Sequence, residues 1–307
     1  MTKGSTYLLL IAVMVIWGFN VVAVKFLVEH FPPVAMQGGR ILTASLSALI
    51  ILWFLKDLRK LSIKEWWWIA CAAAFGQLGH HSLLAVGLTE TSASNASLIL
   101  GLIPVTTALL AIIFLNDRLT FLRGCGILTG FAGVAVVVTQ NGDTGLISRG
   151  DLLVFISMVS QAVSFIFIKK ISDTISPRQL TAVMLLIGAV MLLGVSFILE
   201  SPGIESAVGH SALVWFVFLS SAIIATGLGH ILYNAAIHKI GAGQTAIFNN
   251  LVPFFALVGS FFLLGERILP AQIAGFFLIA TGVVLGTGYV DMKLHARKAS
   301  HKRRKAG

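Results

Sequence analysis

Long apolar runs alternate with short polar breaks along this chain, and each run is about as long as a helix needs to cross hydrocarbon, roughly 20 residues. The first run covers Thr6 to Val24, and Phe31-Pro32-Pro33 makes the turn after it. The second runs from Val34 to Leu55 and ends in the interfacial pair Trp53-Phe54. A basic loop, Lys56 to Glu65, precedes Trp66-Trp67-Trp68, an aromatic anchor that opens the third run, which reaches about Leu88. The fourth and fifth occupy Ala93 to Val138 around the charged hinge Asn116-Asp117-Arg118. After a polar break at Gln140 to Gly150 come runs over Asp151–Ile168 and Leu180–Leu199. Past a second break, Glu200 to Ser211, the last three cover Ala212–Ala236, Ala242–Leu264 and Ala271–Val290. The pattern predicts an all-α integral membrane protein of ten transmembrane helices. The first run competes with a signal peptide, but it is long, no small-residue cleavage site follows it, and further spans do. The basic tail from Lys293 is expected to be disordered.

The chain repeats itself. Sliding the Ala93 stretch by 149 positions puts Pro104 on Pro253, Asp117 on Glu266 and Arg118 on Arg267. Gly126 then falls on Gly275, Gly133 on Gly282 and His81 on His230. At an offset of 144, Lys25 falls on Lys169 and Pro33 on Pro177; the change of five fits a longer loop between spans seven and eight. Each half has five spans. Five is odd, so the second half is expected to enter the membrane upside down, with a functional site near the midplane between halves. The division is a first repeat over 1–140, a loop over 141–150, a second repeat over 151–290 and a basic tail over 291–307.

Composition agrees with a membrane protein. Of 307 residues, 57% are hydrophobic and 11% charged, and mean hydropathy is +0.94; soluble domains carry about 25% charged residues. Cys71 and Cys125 lie inside apolar runs and read as buried thiols. The net charge of +10 sits beside the spans, which points to orientation and anionic lipid headgroups and away from nucleic acid. Eighteen of the 22 Lys and Arg fall on the N-terminal side of the spans, three on the other side, and Arg40 within a span. Both termini are therefore expected in the cytoplasm of a cell-membrane protein.

Trp17-Gly18-Phe19-Asn20 followed by Lys25 resembles the opening of the EamA family in the drug/metabolite transporter superfamily. The series Pro104, Asp117-Arg118, Gly126, Gly133 and its copy Pro253, Gly265-Glu266-Arg267, Gly275, Gly282 resemble that family's repeat signature. The likeness covers about residues 6 to 290. It implies a ten-helix inverted-repeat carrier with a central cavity, exporting amino acids, metabolites or foreign compounds. One position departs from it: Gln161 stands where a second Trp17 would repeat, so the cavity is expected to be asymmetric.

Polar residues inside a bilayer are costly, so each mid-span one is a candidate. Span one offers Trp17 and Asn20. Span three offers Gln77 and His81, four apart on one face, with His80 beside them. Span eight offers Thr226, His230 and Asn234 at four-residue spacing, with Tyr233 on the adjacent edge. Asn95, Gln161 and Gln244 complete the set of candidate cavity residues. The bland alternative for each is an interhelical hydrogen bond. Arg40 is the one formal charge well inside a span, roughly 9 Å past Val34. It either reaches out to headgroups or anchors a carboxylate or phosphate. Pro104 and Pro253 are read as mid-helix prolines that kink their helices and serve as hinges, or as static bends. Asp117-Arg118 and Glu266-Arg267 are read as acid–base pairs at matching helix ends, either local caps or gates. The glycine pairs, seven apart, are read as close-packing faces within the bundle or between protomers, which leaves a homodimer open.

No carboxylate sits at mid-depth, so a carrier built on a buried Glu is not expected; if protons couple, His80, His81 or His230 remain. No catalytic constellation, metal motif, cofactor or nucleotide-binding loop is read. The expected activity is secondary transport of a small molecule, with membrane lipids as the surroundings. A lipid scramblase or floppase and a non-transporting sensor or assembly protein are the alternatives. Few charges among apolar and aromatic residues suit a neutral or zwitterionic amphipathic solute.

Overall fold

The computed structural model describes residues 3–139, 148–200, 209–240, 245 and 248–290. The basic tail and the break at 140–147 lie outside them. Among the described residues all regular structure is helical. In order, α1 is Lys3–Val28, α2 Pro33–Leu55 and α3 Ile63–Ala73, which continues through a π-helical turn, Ala74–Gly79, into α4, His80–Glu90. Then come α5 Ala93–Leu100, α6 Ile103–Phe114, α7 Phe121–Thr139, α8 Arg149–Ile171 and α9 Pro177–Leu199. Next, α10, Ala212–Leu219, passes through a π-helical stretch, Ser220–Leu228, into α11, Gly229–Ile240; α12 is Leu251–Leu264 and α13 Pro270–Gly286. Eight helical runs are long and apolar enough to cross a membrane, and α12 and α13 are shorter apolar helices. The expected start of span nine, Ala242, lies outside the described residues. Span ten stops at Gly286, short of Val290, where Gly288 takes a positive φ of 77°.

The helix starts follow local chemistry. Ser62, Ser92, Ser148, Ser176 and Ser211 cap α3, α5, α8, α9 and α10 by accepting a backbone N–H of the first turn. Glu65 returns the bond to Ser62 N at 2.9 Å, closing a capping box that starts α3 three residues before Trp66. Proline opens α2, α6, α9 and α13, where its missing N–H costs nothing. This corrects the reading of Pro104 as a mid-helix kink. The helix breaks at Gly101–Leu102, and Pro104 lies in the first turn of the fresh helix α6. Pro253 likewise lies in the first turn of α12, after the turn at Asn249-Asn250.

A distant carboxylate supplies the cap of α2 and adds to the local Ser92 cap of α5. Pro32 gives α2 no side-chain cap, and the Glu200 carboxylate, just past α9, accepts from Val34 N at 2.8 Å and Ala35 N at 2.7 Å. The Glu266 carboxylate, just past α12, accepts from Ala93 N at 2.7 Å and Ser94 N at 3.0 Å at the start of α5. A carboxylate on these free N–H groups also meets the positive end of the helix dipole. The expected neighbour pairs are therefore corrected. Glu266 spends its charge on α5 and makes no ion pair with Arg267; Asp117 pairs with Arg123 at 3.5 Å and not with Arg118, whose carbonyl accepts from Arg123 Nη1.

The helices pack most extensively as α7 on α13, α2 on α9, α1 on α12 and α4 on α8. Glycine sets the first of these contacts. A Cβ on Gly282 would lie 2.5 Å from Gly130 N and 2.8 Å from Gly126 O, both backbone atoms that cannot step aside. The face carrying Gly126, Gly133, Gly275 and Gly282 is thus filled inside the bundle. Large apolar side chains also cover the outside, among them Phe121, Phe197 and Ile198, each more than three-quarters exposed. Apolar surface both inside and out is what a lipid-embedded bundle requires.

Gly282→Val should lower the melting temperature in detergent sharply, because overpacking costs about 1–3 kcal/mol or more. Gly124→Val on the same α7 helix has nothing within 4 Å of its Cβ and should leave the melt within a degree or so of wild type. Equal melts for the two variants would show that the glycine contact is not tight.

Candidate substrate site

Arg40 organises the centre of the bundle. It lies one turn beyond Gln37 on α2, so both project from one helix face. The side chain is 1% exposed and turns inward, not out to the headgroups. Its Nε and Nη2 donate to Gln37 Oε1 at 2.9 and 2.6 Å. Its Nη1 donates to Ser221 Oγ at 3.2 Å and Thr226 Oγ1 at 2.8 Å. Nη2 also lies 3.4 Å from His81 Nδ1, which can accept only if its proton sits on Nε2. Among the described residues no carboxylate pairs with Arg40.

Two π-helical turns deliver these partners. Such a wide turn shifts the phase of a helix and recurs at functional sites. Ala74–Gly79 ends where His80 and His81 begin; Ser220–Leu228 carries Ser221 and Thr226 and leads to His230. Their positions correspond through the 149-residue offset. Thr226 Oγ1 donates to the Ser221 carbonyl at 3.0 Å, across the widened turn. Glycines make room nearby: a Cβ on Gly227 would lie 2.6 Å from Ser47 Oγ, and one on Gly229 2.7 Å from Trp17 Nε1.

Around this centre the candidates sort themselves. Ser221 Oγ donates to Asn20 Oδ1 at 2.5 Å, so Asn20 joins the Arg40 network from α1. Trp17 Nε1 donates to the Ala225 carbonyl at 2.9 Å, and its ring lies 5.1 Å from His230 and 4.9 Å from Tyr233. His230 Nδ1 donates to the Thr226 carbonyl at 2.7 Å, and Tyr233 Oη accepts from Asn249 Nδ2 at 3.0 Å. His80 lies against Ser157, with Nδ1 2.8 Å from its Oγ, and its ring is 4.7 Å from that of His81. Gln77 is buried against Gly188 of α9, and its Oε1 has no partner. Gln161 lies near Gly76, across from the first π turn. Asn95 stands apart, in the first turn of α5, where it accepts from Gln272 Nε2 at 2.7 Å and faces Asp151 at 3.4 Å. Gln244 and the side chain of Asn234 lie outside the described residues.

Sequence reasoning missed Gln37 and Ser221. Gln37 was visible as the residue one turn before the buried charge. Ser221 had no such mark, because only the π turn brings it to Arg40.

A cleft of about 480 Å³ opens between α1, α10 with its π stretch, and the end of α12. Ile16, Phe19, Phe26 and Phe216 supply apolar wall, and Asn20 and Ser221 supply polar atoms. The cleft therefore reaches, through Ser221, within one hydrogen bond of the Arg40 guanidinium.

A helical bundle apolar on both faces, with several membrane-length helices and a polar centre, defines a multi-pass membrane protein. Its sequence matches the EamA-like transporter family over residues 4–139 and again over 148–287. The chain belongs to this family, within the drug/metabolite transporter superfamily, and is a membrane transporter. It is 32% identical to the uncharacterized transporter YyaM of Bacillus subtilis, over 96% of this chain and 97% of that one. It is 28% identical to a protein of Salmonella typhimurium named "Probable amino-acid metabolite efflux pump", over 93% of this chain and 95% of that one. A solved crystal structure, 17% identical, superposes with a TM-score of 0.68 over 97% of this chain and 99% of its own, a likeness of fold.

Trp17→Phe keeps an aromatic ring beside His230 and loses one hydrogen bond, so its melt should fall by the equivalent of about 1 kcal/mol. Trp17→Ala loses the ring as well and should cost about 3–5 kcal/mol. Equal losses would mean that the bond to Ala225, and not ring packing, holds Trp17 in place.

Proposed function

We propose that this chain is a secondary carrier that moves a small organic solute across the cell membrane by alternating access, in the direction of export. The observation that carries the reading is the polar centre, built jointly by both halves of the chain and reached by a cleft. Gln37, Arg40, His81 and Asn20 come from the first half; Ser221, Thr226 and His230 come from the second. A site shared by two halves can change its exposure when the halves rock against each other.

In this reading the chain crosses ten times as two inverted five-helix repeats. The interloop bonds support it, because they sort into two ends. At one end Asp57 pairs with Arg178 at 3.1 Å, and Gln179 Nε2 donates to the Arg59 carbonyl at 2.6 Å. At the other end Glu200 caps α2, Glu266 caps α5 and Arg149 pairs with Glu90 at 3.3 Å. Ten alternating crossings place each set of loops on one side. The helix pairs agree: α2 against α9 and α7 against α13 are second with seventh and fifth with tenth. The excess of basic residues on the N-terminal side supports cytoplasmic termini in this reading. Glu266 on α5 then acts as an external gate, and the helix breaks before Pro104 and Pro253 act as hinges. Asp117 and Arg118, with Arg267 opposite, belong to the loops that move. Export of a metabolite is consistent with the name of the Salmonella relative. The apolar wall of the cleft favours a second reading, movement of a lipid or a lipid-like amphipath.

The test is solute counterflow in proteoliposomes with labelled amino acids, organic acids, sugars and nucleosides, beside a fluorescent-lipid flipping assay. Saturable exchange that falls at least about tenfold in the Trp17→Ala/Asn20→Ala variant is the expected result. Lipid flipping without solute exchange would replace the carrier with a scramblase. Glu266→Gln removes the charge at α5 and replaces one of the two acceptor oxygens with an amide N–H₂; it should raise basal solute leak and lower the melt by the equivalent of about 1–3 kcal/mol.

A further inference from the structure

We propose that the Arg40 centre is the subsite for the carboxylate of the transported solute, and that the solute is a monoanionic, amphipathic organic acid. The proposal deepens the carrier reading of the same site and rests on its premise that the cleft admits the solute.

The argument begins with an unbalanced charge. Arg40 is fully enclosed, and every acceptor it has is neutral: one amide oxygen, two hydroxyls and one imidazole nitrogen. Hydrogen bonds satisfy its N–H groups but do not neutralise a cation taken out of water. All the other ion pairs among the described residues lie near helix ends, and none includes Arg40. The centre also holds a spare donor. Gln37 is 0% exposed, its Oε1 is occupied twice by Arg40, and its Nε2 has no partner. A cation without a counterion and an amide N–H₂ without an acceptor, one helical turn apart, want the same thing: an anionic oxygen acceptor.

The geometry selects the kind of anion. A guanidinium offers a planar fork that suits the two oxygens of a carboxylate. One positive charge balances one negative charge, so a dianionic phosphate would leave the centre as unbalanced as before, with the sign reversed. Among the described residues no carboxylate is bonded to this network to receive an ammonium group, which sets a net acid apart from a zwitterionic amino acid. The cleft supplies the approach. Arg40 Nη1 leads to Ser221 Oγ, and Ser221 Oγ leads to Asn20 Oδ1, both of which line the cleft. A carboxylate entering there displaces the 3.2 Å contact to Ser221, the longer of the two that Nη1 makes, and the Gln37 amide N–H₂ closes on its second oxygen. The rest of the cleft, Ile16, Phe19, Phe26 and Phe216, suits an apolar or aromatic body. This revises the neutral or zwitterionic solute expected from composition, which averaged over the wall and missed the single charge behind it.

The test is binding, which does not depend on transport. Detergent-purified protein at pH 7.5 is melted with benzoate, phenylacetate, 4-methylvalerate and octanoate, and with the primary amide of each. Tryptophan fluorescence, to which Trp17 contributes, gives the affinities. At least one acid should bind at least about tenfold more tightly than its amide. Arg40→Gln should abolish that preference, and Arg40→Lys, which keeps the charge and loses the fork, should retain part of it. Asn20→Asp, which places an internal carboxylate beside Ser221, should also abolish it, and it keeps the proposal testable if the Arg40 variants do not fold. Equal binding of acid and amide throughout the panel overturns the proposal, as does a preference that survives Arg40→Gln or Asn20→Asp. Counterflow separates the two readings. Arg40-dependent acid binding without exchange leaves the subsite standing and removes the carrier, whereas exchange of neutral solutes with no acid preference does the reverse.

Discussion

Inside a bilayer there is no water to finish an incomplete hydrogen bond, and this constraint shapes every break in the bundle. Helix starts are the first place it acts. Where a serine precedes the first turn it supplies a local cap, as at Ser148 and Ser176. At α2, which has none, a distant carboxylate is brought in, and Glu200 serves it across 166 residues of chain. The helix interiors follow the same rule. Gly101 interrupts the run before Pro104, so the proline's missing N–H falls among groups that are unpaired in any helix start. Close glycine contacts between α7 and α13 then bring backbones together with no polar side chain between them.

Set against this economy, the Arg40 centre is the exception that needs a reason. Several peripheral charges are paired, as in Arg59 with Glu65 at 2.5 Å, or bonded to helix ends, as Glu266 is. The central charge is held by neutral atoms from three separate stretches of chain. The stretch that supplies Ser221 and Thr226 is π-helical, and the one that supplies His81 follows directly on a π turn, so the helices themselves are distorted to deliver these partners. A purely structural hydrogen-bond network would be as well satisfied by neutral donors, and would avoid the cost of desolvating a cation. A buried charge with distorted helices around it fits a site that is completed by something else.

Much of this was legible in the sequence, for identifiable reasons. Spans are written in composition, and the helix boundaries differ from the apolar runs mainly where caps extend them, as Ser62 and Glu65 extend α3. Arg40 and His81 stood out because a charge or an imidazole in an apolar run is rare. Their meeting was not legible, because it depends on π turns whose only local trace is glycine, and glycine in these runs also marks close packing. The roles of Glu200 and Glu266 were hidden for another reason. Glu266 lies beside Arg267, a plausible partner in sequence, and Glu200 has no basic neighbour to suggest one; the true partners are backbone N–H groups from other helices. Pro104 misled because its position within an apolar run says nothing of the break three residues earlier.

The repeat makes one further difference meaningful. Asp117 and Glu266 are equivalent by sequence, yet they do different things. Glu266 reaches across to α5 and ties the two halves together at one end; Asp117 stays with Arg123 in its own loop. Two copies of one sequence element that make unlike contacts are in unlike environments. Both ends of the bundle nevertheless join the halves, since Asp57 pairs with Arg178 and Gln179 donates to the Arg59 carbonyl at the other end. The difference lies in the device. At one end a carboxylate sits on free backbone N–H groups and also meets a helix dipole, whereas at the other side chains pair between loops and gain no such dipole.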